Sequence, residues 1–292
     1  MYLLYESYTN LHSAKDATTR HINEAPVFSS AQILSTVQDP EVDEASGLAA
    51  SRVHAGVLYT HNDKGGSSRL FALDSKTGAT LAILKIAHVA NYDWEDVAVG
   101  PCGSHSCVYI AETGDHGGDG ARNVIYRVRE PDEIKTQTLH VESQLMFKWD
   151  EPDCETIMVT PNEDIYLISK VVGGHGLIAN FSSSGFGSGQ VVTAESSKYL
   201  TLDSIHHDPV GGDISFNGKE MLIKYKLNVY YWTVLDGDYI GATTRPPVNL
   251  PYVFETRGES VCWDPQGSGY YTTGEGLNQH IYYYKRQSPI IG

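Results

Sequence analysis

Basic residues are scarce in this chain: 21 Lys and Arg stand against 36 Asp and Glu, giving a formal net charge of −15 over 292 residues. A surface of that sign has no cationic face to displace counterions from a phosphate backbone, which excludes nucleic acid and anionic membrane as partners. Long apolar runs are missing as well; no stretch of 18 apolar residues occurs, so no membrane-spanning helix is expected. Four cysteines are too few for a disulfide scaffold. None is needed, because a chain of this length buries roughly three quarters of its unfolded surface. The sequence contains no Gly-x-Ser-x-Gly elbow, His-Glu-x-x-His zinc site, Walker loop or Gly-x-Gly-x-x-Gly fingerprint, which removes the commonest hydrolase, metalloprotease and nucleotide-binding readings. A sustained period of 3.6 is absent, and with it any long amphipathic helix.

What is present is a repeat. Five segments share one pattern, a short apolar strand entered through Ser, Gly or Glu, a turn, and a second apolar strand. Ser46–Ala50 leads to Val57–Asp63, Glu95–Val99 to Val108–Glu112, Glu155–Val159 to Ile165–Lys170, Val210–Ile214 to Met221–Lys224, and Glu259–Trp263 to Tyr270–Thr273. The register positions 46, 95, 155, 210 and 259 are separated by 49, 60, 55 and 49 residues, the period of a four-stranded blade with variable loops. An all-β fold is expected, a β-propeller of five blades, or six if Gln190 to Leu202 hides a degenerate one. A β-sandwich is the alternative. Residues 1–28 read as an N-terminal extension and 29–288 as a single domain, since no linker or charge run divides them.

The turns agree with strands. Pro161-Asn162-Glu163-Asp164, Phe216-Asn217-Gly218-Lys219 and Asp264-Pro265-Gln266-Gly267 fall at one place in three repeats, where a hairpin needs residues that accept φ > 0. Third strands follow at Arg69–Asp74, Val124–Val128, Tyr230–Val234 and His280–Tyr284, rich in Tyr, Val and Ile. The chain ends soon after the last of these. A fourth strand for the final blade is therefore expected from Ala31–Val37, clasping the two termini and removing an open edge.

Inner strands line the axis of such a ring, so Glu95, Glu155 and Glu259 should converge there, with Ser46 and Val210 in the other two repeats. Converging carboxylates raise one another's pKa or recruit a cation. The adjoining loops add Asn62, Asp63, Asp93, Asp96, Asp115 and Glu275, oxygen donors that suit calcium. The expected metal set is Asn62, Asp63, Glu95, Glu155 and Glu259; Asp96, Asp115 and Glu275 are expected to contact ligand. The competing reading is structural, with inner-strand acids bonding the backbone of the next blade, above all Asp93 and Asp96. Lys170 and Lys224, at the ends of second strands, stand ready to bind a substrate carboxylate, steady an oxyanion or neutralise a Glu. With Glu95, Glu155 and Glu259 they complete the candidate catalytic set. His206-His207-Asp208 reads as a loop.

A secreted protein is expected, the chain being mature or incomplete. Its first residues, MYLLYESYTNLHSAKD, lack the basic and long apolar regions of a signal peptide. Cys102 and Cys107 flank a tight turn and suit a hairpin disulfide, Cys154 and Cys262 read as buried thiols, and Asn180-Phe181-Ser182 is a glycosylation sequon read as lying on a loop. The expected partners are a small molecule, a glycan or an extracellular protein.

In order along the chain, THNDKGG (60–66), DWEDVAVGP (93–101), YIAETGD (109–115) followed by RNVIYRVREP (122–131), DCETIMVTPNEDIYLISK (153–170), GGDISFNGKEMLIKY (211–225) and GESVCWDPQG with YYTTGEG (258–276) resemble a family of secreted β-propeller proteins, most of them uncharacterised. More distantly the arrangement is similar to calcium-dependent lactonases and esterases of the gluconolactonase and paraoxonase type. That resemblance implies a calcium held at the axis, with Asn62, Asp63, Glu95, Glu155 and Glu259 in the ligand positions. The chain departs from it at Ser46, where those enzymes place an inner-strand Glu; Glu44 lies two residues earlier on the same face.

Overall fold

The computed structural model describes residues 26–114, 123–151, 153–171, 175–202 and 208–291. Strand β1 (Gln32–Thr36) precedes the first sheet, which runs β2 (Ala45–Ala50), β3 (Val57–Asn62), β4 (Arg69–Asp74) and β5 (Thr80–Ala87). A second meander follows with β6 (Trp94–Cys102), β7 (His105–Glu112), β8 (Val124–Arg129) and β9 (Gln137–Phe147), its last strand pairing in parallel with β5. The third sheet is β10 (Cys154–Val159), β11 (Ile165–Ser169), β12 (Leu177–Phe181) and β14 (Ser196–Tyr199), while the two-residue β13 (Val191–Val192) adds to β9. Then come β15 (Pro209–Ile214), β16 (Glu220–Tyr225), β17 (Val229–Thr233) and β18 (Val248–Leu250), and finally β19 (Gly258–Trp263), β20 (Gly269–Gly274) and β21 (His280–Lys285).

The last meander supplies only three strands, and β1 becomes its fourth by pairing antiparallel with β21. Inner strands pack in the cyclic order β2, β6, β10, β15, β19 and back to β2. Both faces of each inner strand are therefore covered, which is why β10 is buried at all six positions and, apart from Glu155, carries apolar or small residues rather than alternating with charge. Successive residues serve opposite faces: Ile157 packs into the layer shared with the second sheet, and Met158 into the layer shared with the fourth. Trp94, Tyr59, Leu70 and Ile110 fill the layer between the first two sheets. Each fully buried aliphatic or aromatic side chain of this kind contributes roughly 1.5–3 kcal/mol.

Ring closure carries a second lock. Arg286, just past β21, makes a two-pronged ion pair with Glu220 of β16 at 2.7 and 2.9 Å, donates to the Gly267 carbonyl at 2.8 Å, and stacks on Phe28 and Trp263. Both charges are buried, so each depends on the other for solvation.

Hairpin turns follow the expected chemistry, with Glu163, Gly218 and Gly267 all at positive φ. The Cys102–Cys107 disulfide closes the β6–β7 hairpin, with Cα atoms 5.8 Å apart, and Cys154 and Cys262 are free and buried. Two expectations change. Asn180 lies within β12 rather than on a loop, buried, with its amide against the Ile165 carbonyl at 3.4 Å, so the sequon is not presented to solvent. Gln190–Leu202 forms no separate sheet; it supplies β13 and β14 to sheets already present.

Replacing Arg286 by Met leaves Glu220 as an uncompensated buried charge. The expected loss is about 3–5 kcal/mol in denaturant unfolding; a loss under about 1 kcal/mol would show that the pair is dispensable to closure.

Candidate functional site

The five inner strands share one irregularity. Their ladders to the next strand slip between Ala45 and Leu48, Trp94 and Asp96, Cys154 and Thr156, Pro209 and Gly211, and Gly258 and Ser260. The residue left over is the one the repeat aligns: Glu95, Glu155, Val210 and Glu259, and in β2 Ser46 together with Gly47. A β-bulge breaks the in–out alternation and re-aims the extra side chain. The bulge thus releases these carboxylates from the blade layers and turns them toward a common end of the inner strands.

There they meet acids from the preceding loops. Ligand-type oxygens of Asp63, Asp93 and Glu95 lie within 4.8 Å of one another, as do those of Glu95, Asp153 and Glu155. Glu95 belongs to both triplets. Its neighbours are held from behind by a network of neutral and acidic groups. Asn91 donates to the carbonyls of Asn62 and Asp63, both at 2.9 Å, and accepts from Trp94 N–H at 3.0 Å, tying the loop after β3 to the start of β6. Glu112 accepts the N–H groups of Tyr92 and Asp93 at 3.0 and 2.8 Å. Gly114 leaves the space that Glu95 occupies: a Cβ there would stand 1.8 Å from Glu95 Oε1.

Two lysines offset part of the charge. Lys64 pairs with Asp93 at 2.7 Å from an exposed position, and Lys170 forms a close, largely buried pair with Glu155. The balance stays acidic. Burial, then Glu155, Asp63, Asp153 and Asp93, raises the Glu95 carboxyl well above its usual range. Burial, offset by Lys170 and reinforced by Glu259 and Asp153, pushes Glu155 up to about 8. Burial together with Asp93 moves Asp63 to about 6. Burial alone would lower the Lys170 ammonium, but Glu155 outweighs it and holds it above the ordinary value.

Glu259 stands next to Glu275, whose carboxyl is pushed to about 7 by burial and by Glu259. Lys224 is placed differently from expectation. It is fully buried in the wall between β16 and β19, where it donates to the carbonyls of Gly258 (2.7 Å) and Tyr225 (3.3 Å) and to the Tyr252 hydroxyl (3.0 Å). Tyr252 in turn donates to Glu255 at 3.0 Å. With three acceptors and no exposure, Lys224 buttresses the Glu259 strand and faces the charges of Glu255 and Glu259.

Asp96, expected to contact ligand, is instead an inter-strand tie. Its carboxylate accepts Val97 N–H at 2.8 Å and Ile157 N–H at 2.9 Å and is buried. Asp213 repeats the device between β15 and β19 by accepting Trp263 N–H at 2.8 Å. The Asn62 amide nitrogen faces Glu41 and Asp43, whereas its Oδ1, like Asp63 Oδ1, is buried with no hydrogen-bond donor among the described residues. Asp115 lies outside the described residues, as do His206 and His207.

Asp153 was missed, although a signal for it exists. The residues two before the register positions are Glu44, Asp93, Asp153, Asp208 and Arg257, acidic in four repeats of five. Reading Asp93-Trp94-Glu95 beside Asp153-Cys154-Glu155 gives the second triplet whole and, with Asp63 from the loop after β3, the first.

No protein-family model matches the sequence, and no curated protein sequence matches it. Among solved structures the fold is similar to the PQQ-bound aldose sugar dehydrogenase of Streptomyces coelicolor, with a TM-score of 0.52 and 11% identity over 90% of this chain and 100% of that one. A second likeness is to Kuenenia stuttgartiensis hydrazine synthase, with a TM-score of 0.45 and 12% identity over 81% of this chain and 82% of the other. At 11% identity the first likeness shows a β-propeller-like all-β fold.

The raised carboxyls fix a pH dependence. Folded-state pKa values above the unfolded ones mean that the native protein holds protons the unfolded chain has released. The associated stability is full below about pH 4 and is lost as pH rises through the range set by Asp63, Glu275 and Glu155. In chelator-treated protein the thermal midpoint is expected to fall between about pH 5 and pH 8. A midpoint that climbs across that interval would show the cluster to be ionised and satisfied within the protein.

Proposed function

We propose that the chain is a five-bladed propeller whose axial carboxylates bind a divalent cation, calcium, and through it an extracellular ligand. One observation carries this reading: two carboxylate triplets share Glu95, so five buried or half-buried acids converge where Lys64 and Lys170 are the lysines paired with them among the described residues. The donor set fits the ion. Every group is a carboxylate or amide oxygen, with no His or Cys among the candidates, as a hard cation with six to eight oxygen ligands prefers. Asp63, Asp93, Glu95, Asp153 and Glu155 would hold it, with the buried Oδ1 of Asn62 close in sequence and Glu259 and Glu275 at the rim. A cation there replaces the protons that the cluster otherwise retains near neutral pH.

The ligand class follows from the ion. A calcium with open positions binds carboxylate, hydroxyl or carbonyl oxygens, which suits a small molecule, a glycan or an acidic loop of an extracellular protein. In an enzymatic form Asp63, Asp93, Glu95, Asp153 and Glu155 would hold the ion, which would supply Lewis-acid polarisation of an ester or lactone carbonyl; a flanking carboxylate would take the proton of the attacking water and Lys170 would steady the anionic transition state. The second reading, a propeller that binds a glycan or protein without chemistry, is favoured by the close Lys170–Glu155 pair and the Asp96 tie, which give part of the acidic set a purely structural role.

Calorimetry on chelator-treated protein is expected to show one saturable calcium site with Kd of about 10⁻⁴ to 10⁻³ M if the protein works outside the cell. Calcium should also remove the alkaline fall in thermal midpoint. Glu95→Gln should abolish the heat of binding and leave the circular dichroism unchanged. No heat and no shift in melting would make the carboxylates structural.

Gly114→Ala tests the same geometry from the backbone. Its Cβ collides with Glu95 Oε1, so calcium affinity is expected to fall about tenfold or more while the fold persists. Wild-type affinity in that variant would remove Glu95 from the ligand set. Turnover of lactone, ester and phosphoester substrates with calcium present separates the enzymatic form from the binding one.

A further inference from the structure

We propose that the opposite end of the inner strands carries a second, independent binding site, for a small organic monocarboxylate, with Arg52 as its anchor. A hollow of about 580 Å³ opens there between the hairpin after β2, the hairpin after β6, the turn after β8 and the turn after β15. Arg52 and Phe216 form the wall between it and a smaller recess at the axis floored by Asp213 and Trp263.

The state of Arg52 points to a ligand. Its guanidinium lies over the Phe216 ring at 4.9 Å and makes no hydrogen bond or ion pair with any described residue. A guanidinium offers five N–H donors in a fixed fork, and in a half-buried setting it is poorly served by bulk water. The acids nearby are already engaged. Glu130 accepts from the hydroxyls of Ser51, Ser106 (2.6 Å) and Tyr59 (3.1 Å) and from the Arg52 backbone N–H (3.2 Å). Asp132 is paired with Arg129 at 3.2 Å. The fork is thus held in place by stacking, with Asp213 and Glu130 acting on it through space and taking their hydrogen bonds from other donors.

That arrangement selects the ligand's chemistry. A planar carboxylate matches the guanidinium fork with two parallel N–H···O bonds. Glu130 and Asp132 are close, and the chain carries −15 overall, so a monoanion is tolerated where a phosphate dianion is repelled. Phe216 and Val53, 60% and 56% exposed, offer apolar surface beside the fork, so the body of the ligand is apolar or aromatic. The site lies beyond the far ends of β2 and β6, away from the bulges that present Glu95, and owes nothing to a cation.

The test is a calorimetric titration of the full chain with benzoate, benzyl alcohol and inorganic phosphate, with and without EDTA. Saturable binding of benzoate is expected, none of benzyl alcohol, phosphate weaker than benzoate, and no effect of EDTA. Arg52→Gln should weaken benzoate by about tenfold or more. Phe216→Ala, at an exposed position that does not threaten folding, should weaken it several-fold. The proposal is overturned by the absence of saturable benzoate binding, by equal affinity in folded Arg52→Gln and Phe216→Ala, or by phosphate binding more tightly. An effect of EDTA would assign the binding to the axial cluster instead.

Discussion

Everything in this molecule depends on the pairing of its first described strand with its last. Until β1 adds to β21, the final meander has three strands and an open edge, and nothing holds β19 against β2. Once closed, the ring has no free end. Each sheet is packed on both faces, and β2, β6, β10, β15 and β19 are buried along almost their whole length. The Arg286–Glu220 pair, pinned by Phe28 and Trp263, sits on this seam and joins the chain's last segment to the neighbouring sheet. Such closure is non-local: its two strands are about 250 residues apart, so it rewards the chain only after the intervening sheets exist.

Closure also creates the charge problem that defines the site. An isolated sheet could let Glu95 or Glu155 swing into water. In the ring, the bulge in each inner strand turns these side chains inward and the neighbouring strands leave them no other direction. Two triplets of oxygens then share one volume, and proton uptake, ion pairing and cation binding become competing solutions to one repulsion. The protein visibly uses the second at Lys170 and Lys64. The raised carboxyls show that this does not neutralise the cluster. Acids one step along the same strands behave differently: Asp96 and Asp213 find backbone N–H groups of the adjacent inner strand and hold the ring together.

The two ends of the inner strands are chemically unlike. One gathers carboxylates at the bulges; the other gathers Arg52, Arg129 and two histidines around an exposed aromatic ring, with its acids already satisfied. In a chain so acidic overall, this end sets its two arginines against Glu130 and Asp132 where the other gathers carboxylates.

The repeat, the inner two strands of each copy, four of the third strands, the turn chemistry and the need for an N-terminal closing strand were legible in the sequence, because each rests on local periodicity and on glycine or asparagine at fixed offsets; the outer strands β5, β9, β14 and β18, with β12, were not read. The convergence of Glu95 and Glu155 followed from the same alignment. What the sequence could not specify is decided by which backbone lies alongside. The bulge at the register position is invisible in a list of residues, so Asp96 and Glu95, adjacent in the chain, could not be told apart as tie and site residue. Lys170 and Lys224 both fall near the ends of second strands, yet the ladders set Ser169 opposite Cys154 and Tyr225 opposite Pro209, so Lys170 lies one place beyond that pair and meets Glu155 at the cluster while Lys224 lies one place inside it, sealed behind Tyr252. The opposite hollow brings together residues 52, 130 and 216, which no local pattern connects; only the closed ring sets Arg52 over Phe216 and leaves its donors free.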